Sequence, residues 1–477
     1  MRKRSYRTLW SIVGPSALMA SVLLSACGKE APRPNVVLIY IDDLGWRDAG
    51  FMGSEYYETP HIDRLAAEGV VFTNAYANAP NCAPSRASLL TGQYTPRHGV
   101  YTSGSPERGA ARLRRLVPAP SKTALDTGVV TIAEALKGVG YATAHVGKWH
   151  LGGHGYLPTD QGFDVNVAGD GRGHVPTHFH PYRRSENELR DLAGTGREGE
   201  YLTDRLTAEA LGFIENHHDR PFFLYLSHYA VHTPLQAKDE LVSKYRRKPG
   251  DDRHNHPVYA AMVASVDESV GRIVARLDEF GLSESTVVFF FSDNGGYGPA
   301  TSMAPLRGSK GMLYEGGIRV PLVVRWPGNF APGRQEATPV IGTDLFPTII
   351  EIAGAEMPAQ PLDGVSLLKL LQGAGGLEPR ALHWHFPAYL EAYSGMTGPW
   401  RTAPAAAIRS GDYKLIESFE TGELELYNLR DDIGERANLA AQLPDIVEEL
   451  HQLTIEWRRS VGAPVPTELN PAYEGEN

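Results

Sequence analysis

Asn35-Val36-Val37-Leu38-Ile39-Tyr40-Ile41 is apolar at almost every position and runs straight into Asp42-Asp43. A strand with one wet face alternates polar and apolar residues, whereas a strand covered on both faces of a parallel sheet does not. This run therefore reads as a central parallel strand that ends on two carboxylates. Three later segments repeat the arrangement. Tyr141 to Val146 leads to Gly147-Lys148-Trp149-His150, Phe222 to Leu226 leads to His228 and His232, and Thr286 to Phe291 leads to Ser292-Asp293-Asn294-Gly295-Gly296.

Helical patterns lie between these runs. Thr59-Pro60 through Gly69 carries a cap residue, a first-turn proline and a terminating glycine. Thr131-Ile132-Ala133-Glu134 is a capping box, and Tyr201 to Asn216 is a further helical stretch. Tyr259, Met262, Val263, Val266, Val270, Ile273, Val274 and Leu277 recur at three and four, which predicts one long amphipathic helix. Alternation of strand and helix predicts an α/β fold, a large mostly parallel sheet sandwiched by helices. Beyond about Gly364 the pattern changes. The pair 406–409 and 413–416 around Ser410-Gly411-Asp412, the alternating 424–429 and the helical 446–461 predict a smaller antiparallel sheet with one helix. The expected organisation is a leader over 1–26, a linker over 27–34, a catalytic domain over 35–365 and a C-terminal α+β subdomain over 366–477.

In open α/β sheets ligands bind beyond the carboxyl ends of the strands. All four strand exits carry carboxylate, amide, lysine or histidine, so the sequence alone points to an active site there. Asp and Asn also make ordinary turns after strands, but turn chemistry does not call for lysine and histidine as well.

Composition sets the outer bounds. The 477 residues include 50 Gly and 34 Pro and carry a formal net charge of −10, which suits a packed enzyme with many loops and gives no footing for nucleic acid. The basic segment Met1 to Arg7, the charge-free apolar Leu9 to Leu24 and Leu24-Ser25-Ala26-Cys27 resemble a bacterial lipoprotein signal. Export with a lipid anchor on Cys27 in the bacterial envelope is expected. The other reading is a simple signal peptide; a transmembrane anchor is disfavoured by Pro15 in a run of marginal length. There are two cysteines, Cys27 and Cys82, so a lipidated Cys27 leaves Cys82 without a partner.

Cys82-Ala83-Pro84-Ser85-Arg86, extended to Thr91-Gly92, resembles the sulfatase signature Cys-x-Pro-Ser-Arg followed by Thr-Gly. The resemblance to formylglycine-dependent sulfatases, within the alkaline-phosphatase superfamily, covers about residues 34–440. It implies that a maturation enzyme oxidises Cys82 to formylglycine, whose hydrate is the nucleophile. Asp42, Asp43, Asp293 and Asn294 match the family's calcium ligands, with residue 82 completing the shell; these hard oxygens favour calcium, or magnesium, over zinc. Arg86, Lys148, His150, His232 and Lys310 match the remaining catalytic positions. The resemblance implies that Lys148 and Lys310 hold the sulfate, His232 protonates the leaving alkoxide, and His150 then deprotonates the second hydroxyl of residue 82.

The lipoprotein leader and aromatic loops suit a sulfated carbohydrate as substrate. His174, His178 and His180 lie in a loop that could meet a sugar. His383 and His385 resemble a segment of bacterial carbohydrate sulfatases and read either as substrate contacts or as packing beneath the cleft, while His254 and His256 read as surface residues. Two rival functions stay open: a formylglycine-dependent phosphonate or phosphodiester hydrolase, and a non-catalytic glycan-binding surface lipoprotein. A two-zinc phosphatase is disfavoured by Asn294, where a second metal calls for a charged or imidazole ligand.

Overall fold

The computed structural model describes residues 8–9 and 33–475; Cys27 and the cleavage segment expected around it lie outside the described residues. The chain from Arg33 onward forms one compact unit.

Eight strands make the large sheet: β1 (Asn35–Ile41), β2 (Val70–Phe72), β3 (Ala142–Gly147), β4 (Val165–Val167), β5 (Phe222–Ser227), β6 (Thr286–Ser292), β7 (Leu322–Arg325) and β8 (Arg334–Glu336). Their spatial order is β8-β2-β7-β6-β1-β5-β3-β4. Only β7 runs antiparallel to its neighbours. The four runs singled out in the sequence are thus adjacent, in the order β6-β1-β5-β3.

Burial on both faces is visible residue by residue in β1. Val37, Ile39 and Ile41 pack into one core, with residues of α1 (Pro60–Ala67), α4 (Leu202–His217) and α5 (Pro257–Glu279). Val36, Leu38 and Tyr40 pack into the other, with α2 (Cys82–Thr91), α3 (Ile132–Lys137) and α6 (Leu345–Ile352). The capping box at Thr131 forms as the sequence predicts: its Oγ1 accepts from Glu134 N at 3.2 Å and the Glu134 carboxylate accepts from Thr131 N at 2.7 Å. Thr59 precedes α1 but does not cap it, because its hydroxyl accepts from Gly50 N and donates to Asp63.

The C-terminal sheet contains β9 (Ala381–Phe386), β12 (Ala405–Ser410), β13 (Tyr413–Ser418) and β14 (Leu424–Asn428), all antiparallel, against α7 (Pro444–Val461). A separate two-stranded ribbon joins β10 (Leu390–Glu391) to β11 (Trp400–Thr402). The subdomain edge expected at 365/366 falls inside continuous packing, since Leu367, Leu370 and Leu371 still belong to the core of the large sheet. Among the described residues no helix is long and apolar enough to cross a membrane.

Candidate active site

Because β6, β1, β5 and β3 are adjacent and parallel, their carboxyl ends open at one place. Asp42 and Asp43 follow β1, Lys148 and His150 follow β3, His232 follows β5, and Asp293 and Asn294 follow β6. Gly147 makes the β3 exit possible. Its φ is 112°, and a Cβ there would stand 1.9 Å from Ser227 O, the same carbonyl that accepts from Lys148 N at 2.7 Å.

Helix α2 points its N-terminus at this spot. Cys82 is its first residue, buried at 2% exposure, and Gly92 ends it in the left-handed conformation, so the signature is one complete short helix. An N-terminus presents unpaired amides and a positive dipole end, which suits an anion. One turn on, Arg86 is fully buried over the Tyr40 ring at 5.1 Å. It donates from Nη2 (2.7 Å) and Nε (3.1 Å) to Asp293 Oδ2, and from Nη1 to Lys148 O and Ser227 Oγ. Burial acts against its charge, but Asp293 and Asp42 hold the guanidinium well above its usual range.

The two acids of β1 are paired to different lysines. Lys148 Nζ lies 2.5 Å from Asp42 Oδ2, and Lys310 Nζ lies 2.6 Å from Asp43 Oδ1. Asp43 also accepts from Asn294 Nδ2 at 2.9 Å. Burial pushes Asp42 well above the carboxylate range despite Lys148, whereas at Asp43 the opposing pull of Lys310 and His232 overcomes burial and lowers it. Asp43 in turn holds Lys310 well above its ordinary value against the effect of burial. Burial, reinforced by Lys148 and Arg86, holds His150 far below the ordinary imidazole value, so its ring is neutral. His232 Nδ1 donates to Thr233 O at 2.8 Å, which turns Nε2 inward, 3.8 Å from Asp43 Oδ2.

Ligand atoms of Asp42, Asp43, Cys82 and His232 lie within 4.8 Å of one another. A metal fit can be tested on the polar atoms left over. Asp42 Oδ1 and Asn294 Oδ1 are buried without a hydrogen-bond partner, and such atoms are costly unless something else satisfies them. Both are hard oxygens, as a divalent cation of the calcium type requires. Asp293 is more committed, with Oδ1 accepting from Asp43 N and Oδ2 from Arg86. The residues fit the group.

These side chains border a cavity of about 450 Å³. Asp43, Cys82, His150, His232 and Lys310 line it, while Asp42, Arg86, Lys148, Asp293 and Asn294 lie below them with no exposure. His174 reaches the lining, unlike His178 and His180. His178 is buried, with Nε2 3.3 Å from His232 O, and His180 stands edge-on to Tyr182. His383 and His385 take the packing alternative: His383 stacks parallel on Trp457 at 4.5 Å, and His385 Nε2 donates to Pro464 O. The surface placement of His254 is overturned, while His256 is half-buried. Asp251 accepts from His254 N and folds the loop back, so His254 is buried against Tyr57 at 4.4 Å; His256 caps α5 through Tyr259 N. Sequence reasoning also missed Asn81, Ser103, Arg108, Tyr297, Tyr393 and Arg401 in the lining. Tyr393 and Arg401 come from the ribbon side of the C-terminal segment, and nothing in their local sequence marks them.

Comparison with known proteins shows which family the chain resembles. The sequence model of the family described as Sulfatase matches residues 34–355, and that of N-sulphoglucosamine sulphohydrolase, C-terminal, matches residues 309–460. A protein named Sulfatase from Formosa agariphila is 35% identical, across 93% of this chain and 90% of its own length. N-acetylgalactosamine-6-sulfatase of Mus musculus is 35% identical, across 74% of this chain and 68% of its own. Among solved structures, Ps i-CgsB in complex with k-i-k-neocarrahexaose superposes with a TM-score of 0.74 at 31% identity, covering 89% of this chain and 92% of that one.

Proposed function

The chain belongs to the sulfatase family and is a sulfatase, and from that premise we propose that it removes sulfate from sulfated carbohydrates, using formylglycine made from Cys82 beside one calcium ion. The observation that carries this reading is the meeting of Cys82 with Asp42, Asp43 and His232 within 4.8 Å at the floor of one cavity. Sugar as the leaving group is supported by relatives named for a sulfated amino sugar and solved with a carrageenan-type oligosaccharide.

Asp42, Asp43, Asp293 and Asn294 would hold the cation, with Asp42 Oδ1 and Asn294 Oδ1 as its free oxygens. When bound, it supplies Lewis-acid polarisation and favours an ionised hydroxyl at residue 82. Formylglycine, once hydrated, supplies two geminal hydroxyls at that position. Lys310, which lines the cavity, would take a sulfate oxygen, and Lys148, buried on Asp42 just below, would do so with Asp42 engaged by the cation. His232 Nε2 faces the cavity to give a proton to the departing sugar oxygen. Its ordinary value is lowered by burial, and the charge of an arriving sulfate acts the other way, toward the protonated form. His150, held neutral, is able to accept a proton from residue 82 afterwards.

The test is a peptide mass measurement on protein co-expressed with a formylglycine-generating enzyme, combined with turnover of sulfated mono- and oligosaccharides. Loss of the thiol at residue 82 together with sulfate release is expected. Full activity with an intact Cys82 would sink the proposal, and turnover of phosphodiesters but not sulfate esters would move the chain to the phosphonate and phosphodiester branch. We also propose export with a lipid on Cys27, which metabolic fatty-acid labelling of the wild type and of Cys27→Ala would check.

A further inference from the structure

Arg401 is the charged group in the cavity that the chemistry above leaves without a task. It projects from β11, and its guanidinium lies 4.0 Å over the Tyr393 ring. Nη1 donates to the backbone carbonyl of Lys310 at 3.3 Å. Its Nε is buried toward Gly311, and no described carboxylate stands within ion-pairing distance of the guanidinium. The other arginine of the lining differs: Arg108 is paired with Glu391 at 3.1 Å and is 40% exposed. A planar cation held flat on an aromatic ring at the cavity wall, with no described carboxylate paired to it, is preorganised to receive a carboxylate or sulfate. A guanidinium at the cavity wall without a described carboxylate to neutralise it calls for an anion from outside the chain.

Its place says where that anion comes from. Lys310 holds sulfate, and both Arg401 and Tyr393 grip its carbonyl, the latter through its hydroxyl at 3.2 Å. Tyr297 stands edge-on to Tyr393 at 5.3 Å and widens the aromatic wall on the same side. A group reaching Arg401 therefore belongs to the same bound substrate as the scissile ester, since Arg401, Lys310 and Cys82 line one cavity.

We infer that Arg401 is a specificity residue that selects substrates carrying a second anionic group, a sulfate ester or a uronate carboxylate, on the same sugar ring or the one joined to it. The inference rests on the sulfatase reading and narrows its substrate class to polyanionic glycans.

Three matched sugars test it: one singly sulfated, one with a second sulfate, and one singly sulfated but joined to a uronate. Each is assayed with the wild type, Arg401→Gln and Arg401→Lys. The wild type should favour at least one doubly charged sugar by about tenfold or more in kcat/KM, mainly through KM, as expected for one charge-assisted pair. Which of the two is favoured identifies the anion. Arg401→Gln should bring that ratio close to one, and Arg401→Lys should keep part of it. Because the ratio is taken within one protein, any general loss from disturbing Lys310 cancels. A wild-type ratio near one for both anions, or a ratio unchanged in Arg401→Gln, would overturn the inference while the sulfatase reading stands. Inactivity of the wild type on every sulfate ester, nitrophenyl sulfate included, would bring down that reading and this inference with it.

Discussion

At the scale of single residues, the site is held by unusual backbone as much as by charge. Asp43 and His150 have φ of 62° and 63°, a conformation that costs non-glycine residues on the order of 1 kcal/mol or more. Asp43 N is retained by Asp293 Oδ1 and His150 N by Asp170 O, so the strain is carried by neighbours rather than relaxed. The two histidines should separate by step. His150→Ala should release about one equivalent of alcohol and then stall for any leaving group, whereas His232→Ala should be far more damaging for a sugar sulfate than for nitrophenyl sulfate, whose oxygen leaves without help. Equal impairment of His232→Ala on both, with no burst from His150→Ala, would show the roles to be misassigned. The orphan oxygens make a second prediction. Calcium should raise the melting temperature of the wild type and not that of Asp42→Ala, since a ligand stabilises in proportion to its binding to the folded state. Stoichiometric zinc in active protein would refute the metal assignment.

At the scale of elements, the strand exits matter more than the strands. Gly147→Ala should destabilise by several kcal/mol, because the added Cβ meets Ser227 O at 1.9 Å and φ of 112° suits glycine alone. It should also displace Lys148, so activity should fall further than the shift in denaturation midpoint accounts for. Wild-type stability and turnover in that variant would mean the β3 exit adapts freely. A second element-level bond joins the small sheet to the segment that leads into β7. Lys414 of β13 is fully buried between Glu315 at 3.0 Å and Glu435 at 2.8 Å. Lys414 brings Glu315 down to about 2 against burial, while burial leaves Glu435 up at about 7. Lys414→Met strands two carboxylates and should cost about 3–5 kcal/mol, read by chemical denaturation. A cost under about 1 kcal/mol would show that the carboxylates simply protonate.

At the scale of the whole molecule, the cores contain histidines that fold neutral. Burial lowers His98, His228 and His383 from 6.5 to about 3. Between those values the unfolded chain binds more protons than the folded one, so stability is present above about pH 6.5 and is lost as pH falls through this window. Each buried histidine contributes about 1.4 kcal/mol per pH unit, and three together consume a typical folding stability within two to three units. The melting temperature should therefore drop steeply below about pH 6. A flat profile from pH 7 to pH 4.5 would contradict the burial of these rings.

The α/β sheet, its polar strand ends and the helix that opens at Cys82 are all legible in the sequence. Those features are written locally: an unbroken apolar run means burial on both faces, Thr131 and Glu134 satisfy one another across a single turn, and Cys82 to Gly92 is one short helix from its first amide to its left-handed stop. The adjacency of β6, β1, β5 and β3 was decided only by the tertiary structure, because strand order depends on how helices cross over the sheet and leaves no mark within any strand. The same holds for His254 folded inward onto Tyr57, for His383 stacked on Trp457, and for Arg401 and Tyr393 brought to Lys310 from a ribbon about ninety residues downstream. Polar and aromatic side chains at such positions look the same in sequence whether they meet water, a neighbour or a substrate. Their partners are distant in the chain, and only packing selects among them.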